Sequence, residues 1–264
     1  MKIDLSSKKR VVIKVGSSTL THESGLLNIR KIETLVKCIA DLQNSGRQII
    51  LVSSGAISCG IAKLGFYCKS LTTVEKQAAA SVGQCELIDI YNRNFLQYGH
   101  KIAQILMTKD IVDDKARRDS ASGTFMTLLS YGCIPIVNEN DTLSSEQITF
   151  GGNDTLSISV ARLVKADLII NMSDVNGFYD KNPRTNPDAK LIEHIPEVDD
   201  TLLNCAEGTG SGSKRGTGGM RAKLEASESA MRHGIPMIIL NGANPNILYD
   251  VFDGDFTGTY LGKL

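Results

Sequence analysis

Short apolar runs recur along the chain, separated by stretches whose apolar positions fall at helical spacing. Residues 10–16, RVVIKVG, form an apolar run closed by glycine, the pattern of a buried strand. Ile29, Ile32, Leu35, Val36, Ile39 and Ala40 then repeat at helical spacing, and Asn28 and Gly46 suit the two ends of that helix. RQIILVSSG (47–55) predicts a second strand, and AISCGIAKLG (56–65) and the alanine-rich stretch 73–98 predict helices. A strand is expected at KIAQILMT (101–108), a helix over 117–131 and a strand at CIPIVN (133–138). DTLSISVARLVKA (154–166) reads as a helix and DLIINMSD (167–174) as a strand. Met220, Leu224, Ser227 and Met231 mark one face of a helix, and IPMIIL (235–240) follows as a strand.

Strands that alternate with helices imply an α/β fold with a mostly parallel sheet covered on both faces. No internal repeat, charge block or linker divides the 264 residues, so a single domain over 1–264 is expected. GTGSGSKRGTGG (208–219) is the one low-complexity stretch.

Composition narrows the function classes. The 29 basic and 29 acidic residues cancel, so no global field favours nucleic acid or an anionic membrane. The start has no apolar stretch long enough for a signal peptide, and no run approaches a membrane helix. The six cysteines (Cys38, Cys59, Cys68, Cys85, Cys133 and Cys205) contain no CxxC pair, which suits reduced thiols in a cytoplasmic protein. GxxxxGK[ST], GxGxxG after the first strand, HRD, DFG, HExxH and GxSxG are all missing, and the four histidines form no spaced pair. An enzyme here works without an obvious histidine base or metal cage.

In folds of this class, ligands bind beyond the carboxyl ends of the strands. The polar clusters fall there: Gly16-Ser17-Ser18, Ser53-Ser54-Gly55, Asn138-Glu139-Asn140-Asp141 and Ser173-Asp174 each follow a strand, and the glycine-rich stretch leads into the helix of Lys223. Singly, each has a plainer reading. Lys14 fits a solvent-facing edge strand. Asn140-Asp141 fits a turn, Ser54-Gly55 or Asp154 a helix cap, and residues 208–219 a flexible linker. Their joint order and common location favour a site.

Together VVIKVGSSTLT, LVSSGAISCG, IPIVNENDTL, FGGNDTLSISVA, MSDVNGFYDKNPR and GTGGMRAKLEA resemble the amino acid kinase family, in particular its members that phosphorylate glutamate. The resemblance runs over nearly the whole chain in motif order. It implies a three-layer α/β/α sandwich around a mainly parallel sheet, ATP as co-substrate with Mg2+, a homo-oligomer (dimer or tetramer), and proline as feedback inhibitor. Many such enzymes continue into a PUA domain, an RNA-binding type of module. None is expected here, and no nucleic-acid or membrane partner. The chain reads Gly151-Gly152-Asn153-Asp154 where many relatives have Gly-Asp-Asn-Asp.

The resemblance assigns Lys14, Lys223 and Asp154 to catalysis, with Asp154 orienting the two lysines. It places glutamate at Ser54, Gly55, Asp141 and Asn153, with Asp141 as partner of the ammonium. It places ATP at Lys14, Gly16, Ser173, Asp174 and the stretch Thr217, Gly218, Gly219, Met220, Arg221, Ala222 and Lys223. No protein metal ligand is implied. The chemistry agrees, since a carboxylate acceptor is ionised at neutral pH and needs no general base. Two alternatives stay open. One is another member of the family, acting on N-acetylglutamate, aspartate, carbamate or UMP. The other is a non-catalytic nucleotide-binding protein on the same fold.

Overall fold

The computed structural model describes residues 1–22, 24–66, 70–143, 150–183, 185–199, 202–203 and 219–264. Five apolar runs become central strands: β1 (Arg10–Val15), β2 (Gln48–Ser53), β4 (Ile134–Glu139), β5 (Leu168–Ser173) and β9 (Met237–Asn241). Each is buried on both faces, the environment that selects β-branched and aliphatic side chains without alternation. With β3 (Ile102–Met107), β10 (Gly258–Leu261) and β8 (His194–Ile195) they form an eight-stranded sheet of order β3-β4-β2-β1-β5-β9-β10-β8. Pairing is parallel from β3 through β9, β10 runs antiparallel to β9, and β8 lies parallel to β10. A small hairpin pairs β6 (Phe178–Tyr179) with β7 (Leu191–Ile192).

Helices cover both faces. On one face α2 (Ile29–Asn44), α4 (Thr73–Leu96) and α9 (Ile247–Asp253) pack Leu35, Tyr91, Phe95 and Val251 against Ile13, Leu51, Ile170 and Leu240. On the other, α6 (Lys115–Ser130), α7 (Asn153–Val164) and α8 (Met220–Arg232) pack Phe125, Val160 and Leu224 against Val12, Val52, Val137 and Ile239. The α/β/α sandwich expected from the alternating pattern is present. Shorter helices are α1 (Ser17–Leu20), α3 (Ala56–Leu64) and α5 (Asp110–Asp113).

Local signals set most boundaries. Asn28 caps α2, its side chain accepting from the Lys31 amide, and Thr72 with Glu75 forms a capping box at the start of α4. The helix expected over 117–131 begins earlier, at Lys115, because the Asp114 side chain caps it. The helix expected from Asp154 begins at Asn153, with Gly152 as its N-cap. Periodicity did not announce β6, β7, β8, β10, α1, α5 or α9, whose two to seven residues are too few to show a period.

The pair α3–α4 crosses with backbones touching. A Cβ at Gly60 would lie 1.7 Å from the Ala79 carbonyl oxygen, and one at Gly83 would lie 1.8 Å from that of Ala56. The contact fixes the direction in which α3 leaves the Ser54-Gly55 turn. Cys38 and Cys59 are buried free thiols; Cys85 is free and exposed and Cys133 free and half-buried, while Cys68 and Cys205 lie outside the described residues.

Candidate active site

The carboxyl ends of β1, β2, β4 and β5 lie side by side in the sheet, and the polar clusters meet there. β1 is central, so Lys14 is not an edge lysine. It is 7% exposed and its Nζ lies 2.8 Å from Asp154 Oδ1. Asp154 stands in the first turn of α7, and its other oxygen, Oδ2, lies 3.5 Å from Lys223 Nζ, in the first turn of α8. Both partners are as buried as Lys14. Three elements far apart in sequence thus place two ammonium groups on the two oxygens of one carboxylate.

Burial by itself would push the Asp154 carboxyl up. The charges of Lys14 and then Lys223 overcome this and hold it at about 2. Burial lowers the Lys223 ammonium, and the attraction of Asp154 opposes that. The triad carries two positive charges against one negative, a net cation in a low-dielectric setting. Asp174, exposed after β5, also acts on Lys223, and the Ser173 hydroxyl donates to Asp174 at 3.2 Å. The Ser173-Asp174 pair therefore borders the lysine side of the site.

The second half of the site lies over β2 and β4. Asn153 donates through Nδ2 to Ser54 Oγ at 2.7 Å and to Asn138 Oδ1 at 3.1 Å. The Glu139 amide also donates to Asn138 Oδ1, which fixes the amide so that its Nδ2 donates to Gln84 Oε1 on α4. Gly55, at φ 113, caps α3 in a conformation open to glycine. Asp141 is half-buried in the turn after β4, and a hydrogen bond between the Thr142 and Ser81 hydroxyls ties that turn to α4. Burial, and then the Glu139 carboxylate, push Asp141 up to about 6. Among the described residues no ion pair offsets its charge, so the carboxylate suits an incoming ammonium.

Lys14, Lys223 and Asp154 therefore come together, as do Ser54 and Asn153. Gly16 caps α1, and a Cβ there would lie 3.8 Å from Lys14 Nζ, so the turn runs over the ammonium. Gly219 caps α8, and Met220, Arg221 and Ala222 occupy its first turn with Lys223. Arg221 pairs with Glu225 at 2.9 Å. Thr217 and Gly218 lie outside the described residues.

A family model, the amino acid kinase family, matches residues 9–241. The chain belongs to the amino acid kinase family. It is 48% identical over 263 residues to the glutamate 5-kinase of Clostridium perfringens, spanning 98% of this chain and 97% of that protein. It is 50% identical over 255 residues to the glutamate 5-kinase of Clostridium acetobutylicum, spanning 97% and 95%. Among solved structures, UMP kinase from Ureaplasma parvum superposes with a TM-score of 0.69 at 16% identity, covering 97% of this chain and 99% of that one. Isopentenyl phosphate kinase of T. acidophilum superposes with a TM-score of 0.65 at 16% identity, covering 96% and 100%. The last two similarities speak for the amino acid kinase fold alone.

Four residues of this candidate site were given no role from sequence. Gln84 sits in an alanine-rich helix whose pattern says only that it is a helix. Glu139 and Asn138 were visible as a polar pair after a strand, but not as a buried brace: Glu139 accepts from the Phe150 amide and Asn138 links Asn153 to Gln84. Asn171 had a signal, being the lone amide in the apolar run LIINMS.

Proposed function

We infer that this kinase transfers the γ-phosphoryl group of ATP to the side-chain carboxylate of L-glutamate, giving L-glutamyl 5-phosphate and ADP, the first step of proline biosynthesis. The observation that carries the reading is the Lys14–Asp154–Lys223 triad beside the Asn153–Ser54 pair. In the step, a glutamate γ-carboxylate oxygen attacks the γ-phosphorus and the bond to the β,γ-bridging oxygen breaks. ADP leaves with that electron pair, and no proton needs to move. The barrier is one of bringing an anion to a polyanion, so catalysis is positioning plus positive charge. Lys14 and Lys223 supply that charge, and Asp154 holds both ammonium groups at fixed places while leaving the triad net positive. Amides of the Gly16 turn suit phosphate oxygens.

Glutamate lies, on this reading, with its ammonium at Asp141 and its carboxylates near Asn153, Ser54 and Gly55. The raised position of Asp141, about 6, supports a free amino acid over N-acetylglutamate, which has no ammonium to offer. UMP as acceptor would call for arginines, and Arg221 is engaged by Glu225. ATP extends past Ser173-Asp174 toward the stretch 217–223. Mg2+ arrives with the nucleotide, since phosphate oxygens and water supply most of the ligands this ion prefers. The same Asp141–Asn153 pocket would admit proline, whose ammonium and α-carboxylate match those of glutamate. No helix of the described residues is long and apolar enough to cross a membrane. We place the enzyme in the cytoplasm, as one domain in a homo-oligomer, with no nucleic-acid partner.

A coupled ADP-release assay with glutamate, N-acetylglutamate, aspartate, carbamate and UMP tests the reading. Turnover confined to glutamate supports it. Turnover with another acceptor, or none with any, replaces it by one of the alternatives.

A further inference from the structure

Asn171 occupies the centre of β5, fully buried, in a strand paired on both sides by β1 and β9. Its register partners are Lys14 and Ile239, so the three side chains leave the same face of the sheet. The rest of that strand up to Ser173 is aliphatic or Met, and asparagine is a poor strand former. Its Oδ1 is buried with no hydrogen-bond partner among the described residues. A half-satisfied amide in such a place costs stability, so its other half should account for its presence. That half is Nδ2, which donates to Asp154 Oδ1 at 2.8 Å.

We propose that Asn171 is a positioning residue, the rigid donor that holds the Asp154 carboxylate turned so that its two oxygens divide between Lys14 and Lys223. The proposal rests on the reading of that triad as the phosphoryl-transfer machinery. The terminal torsion of an aspartate is broad and nearly two-fold, so it does not set the carboxylate plane by itself. The lysines cannot set it, because each reaches Asp154 on a flexible four-carbon stem. Asn171 has a short side chain on a strand locked from both sides. It shares Oδ1 with Lys14, which leaves Oδ2 for Lys223. The Lys223 contact, 3.5 Å against 2.8 Å for Lys14, is the looser of the two and is the one lost if the carboxylate turns. The charged groups around Asp154 are Lys14 from β1 and Lys223 from α8, with Asp174 beyond β5 acting on Lys223.

Two variants test this. Asn171→Leu keeps the size and removes both ends of the amide. It should lower kcat about tenfold, leave the KM values for glutamate and ATP within about twofold, and not lower Tm, because an orphaned acceptor goes with it. Asn171→Asp keeps the shape and replaces the donor by an acceptor, whose ionised form the two lysines favour as they do that of Asp154. It can no longer donate to Asp154 Oδ1, so kcat should fall as in the Leu variant. A wild-type kcat in either variant overturns the proposal. So does a Leu variant whose Tm drops while kcat and KM move together, which makes the role merely structural. Asp154→Asn separates the two levels. If it is inactive while Asn171→Leu is unaffected, only the role of Asn171 falls; if it keeps full kcat, the triad reading falls and takes this proposal with it.

Discussion

Asn153 donates to Ser54 Oγ across 2.7 Å, joining two residues 99 positions apart and tying the first turn of α7 to the end of β2. The same amide group also donates to Asn138, so one side chain ties this half of the site to two strands. Asn153→Ala takes this donor from Ser54 Oγ, while Asn138 Oδ1 keeps the Glu139 amide, and it removes the group assigned to a glutamate carboxylate. A buried hydrogen bond lost this way costs about 1–3 kcal/mol. Glutamate KM should rise by at least tenfold while ATP KM stays within about twofold, read from initial rates at varied concentrations of each. Equal losses on both sides would move Asn153 to the nucleotide half.

On the proposed reading, charge at the transferring phosphoryl comes from Lys14 and Lys223. Lys14→Ala or Lys223→Ala should lower kcat by about 10²–10³, the effect of losing one preorganised donor, with a much smaller change in glutamate KM. Each variant leaves Asp154 with one cation instead of two. A near wild-type kcat in either variant removes that lysine from the catalytic set.

The Asp141 carboxyl sits at about 6, above the ordinary 3.8, because of burial and Glu139. Two consequences follow from the sign. Between pH 4 and 6 the folded protein binds a proton that the unfolded chain releases, so this group penalises folding above pH 6 and the penalty disappears as pH falls toward 4. Asp141→Asn should therefore have a higher Tm than the wild type at pH 8, with the difference shrinking on acidification through pH 6. Its glutamate KM should be strongly raised, by the roughly 2–5 kcal/mol typical of a lost buried charge pair. In the wild type, glutamate KM should climb as pH drops through 6; in the variant that dependence should be gone. Thermal scans and rate titrations from pH 5 to 8 read both.

Gly60 faces the Ala79 carbonyl with no room for a methyl group. Gly60→Ala should wedge α3 away from α4, destabilising the protein by about 1–3 kcal/mol or more and shifting the Ser54-Gly55 turn at the start of α3. Urea unfolding should show a lower midpoint with an unchanged slope. Gly65→Ala offers a control, because nothing lies within 4 Å of a Cβ there although its φ of 70 adds some strain. A Gly60→Ala midpoint equal to that of the wild type would contradict the close crossing.

Proline is expected to compete with glutamate for the Asp141–Asn153 pocket. Glutamate titrations at several fixed proline concentrations should give lines meeting at one maximal rate, and Asp141→Asn should weaken both ligands. Inhibition that persists at saturating glutamate would point to a second site.

The strand runs VVIKV, IILVS, IPIVN, LIINM and MIIL were legible as buried strands, because a strand covered on both faces needs continuous apolar side chains and nothing else in a chain of this composition does. The polar residues after those runs were legible as a site because parallel strands deliver their carboxyl ends to one edge. Side-chain partnership was not legible. Lys14 read alone suits an exposed strand edge; it is central because β5 inserts beside β1 from 158 residues away, as the Lys9–Asp167 bond also shows. Likewise Asp154 and Lys223, 69 positions apart, meet only because α7 and α8 pack side by side on the same face. Composition and periodicity determine which segments are buried, since that depends on each segment's own side chains. Which carboxylate receives which lysine, and which amide holds it in place, depends on strand order and helix packing, and these are set by contacts between residues far apart in the chain.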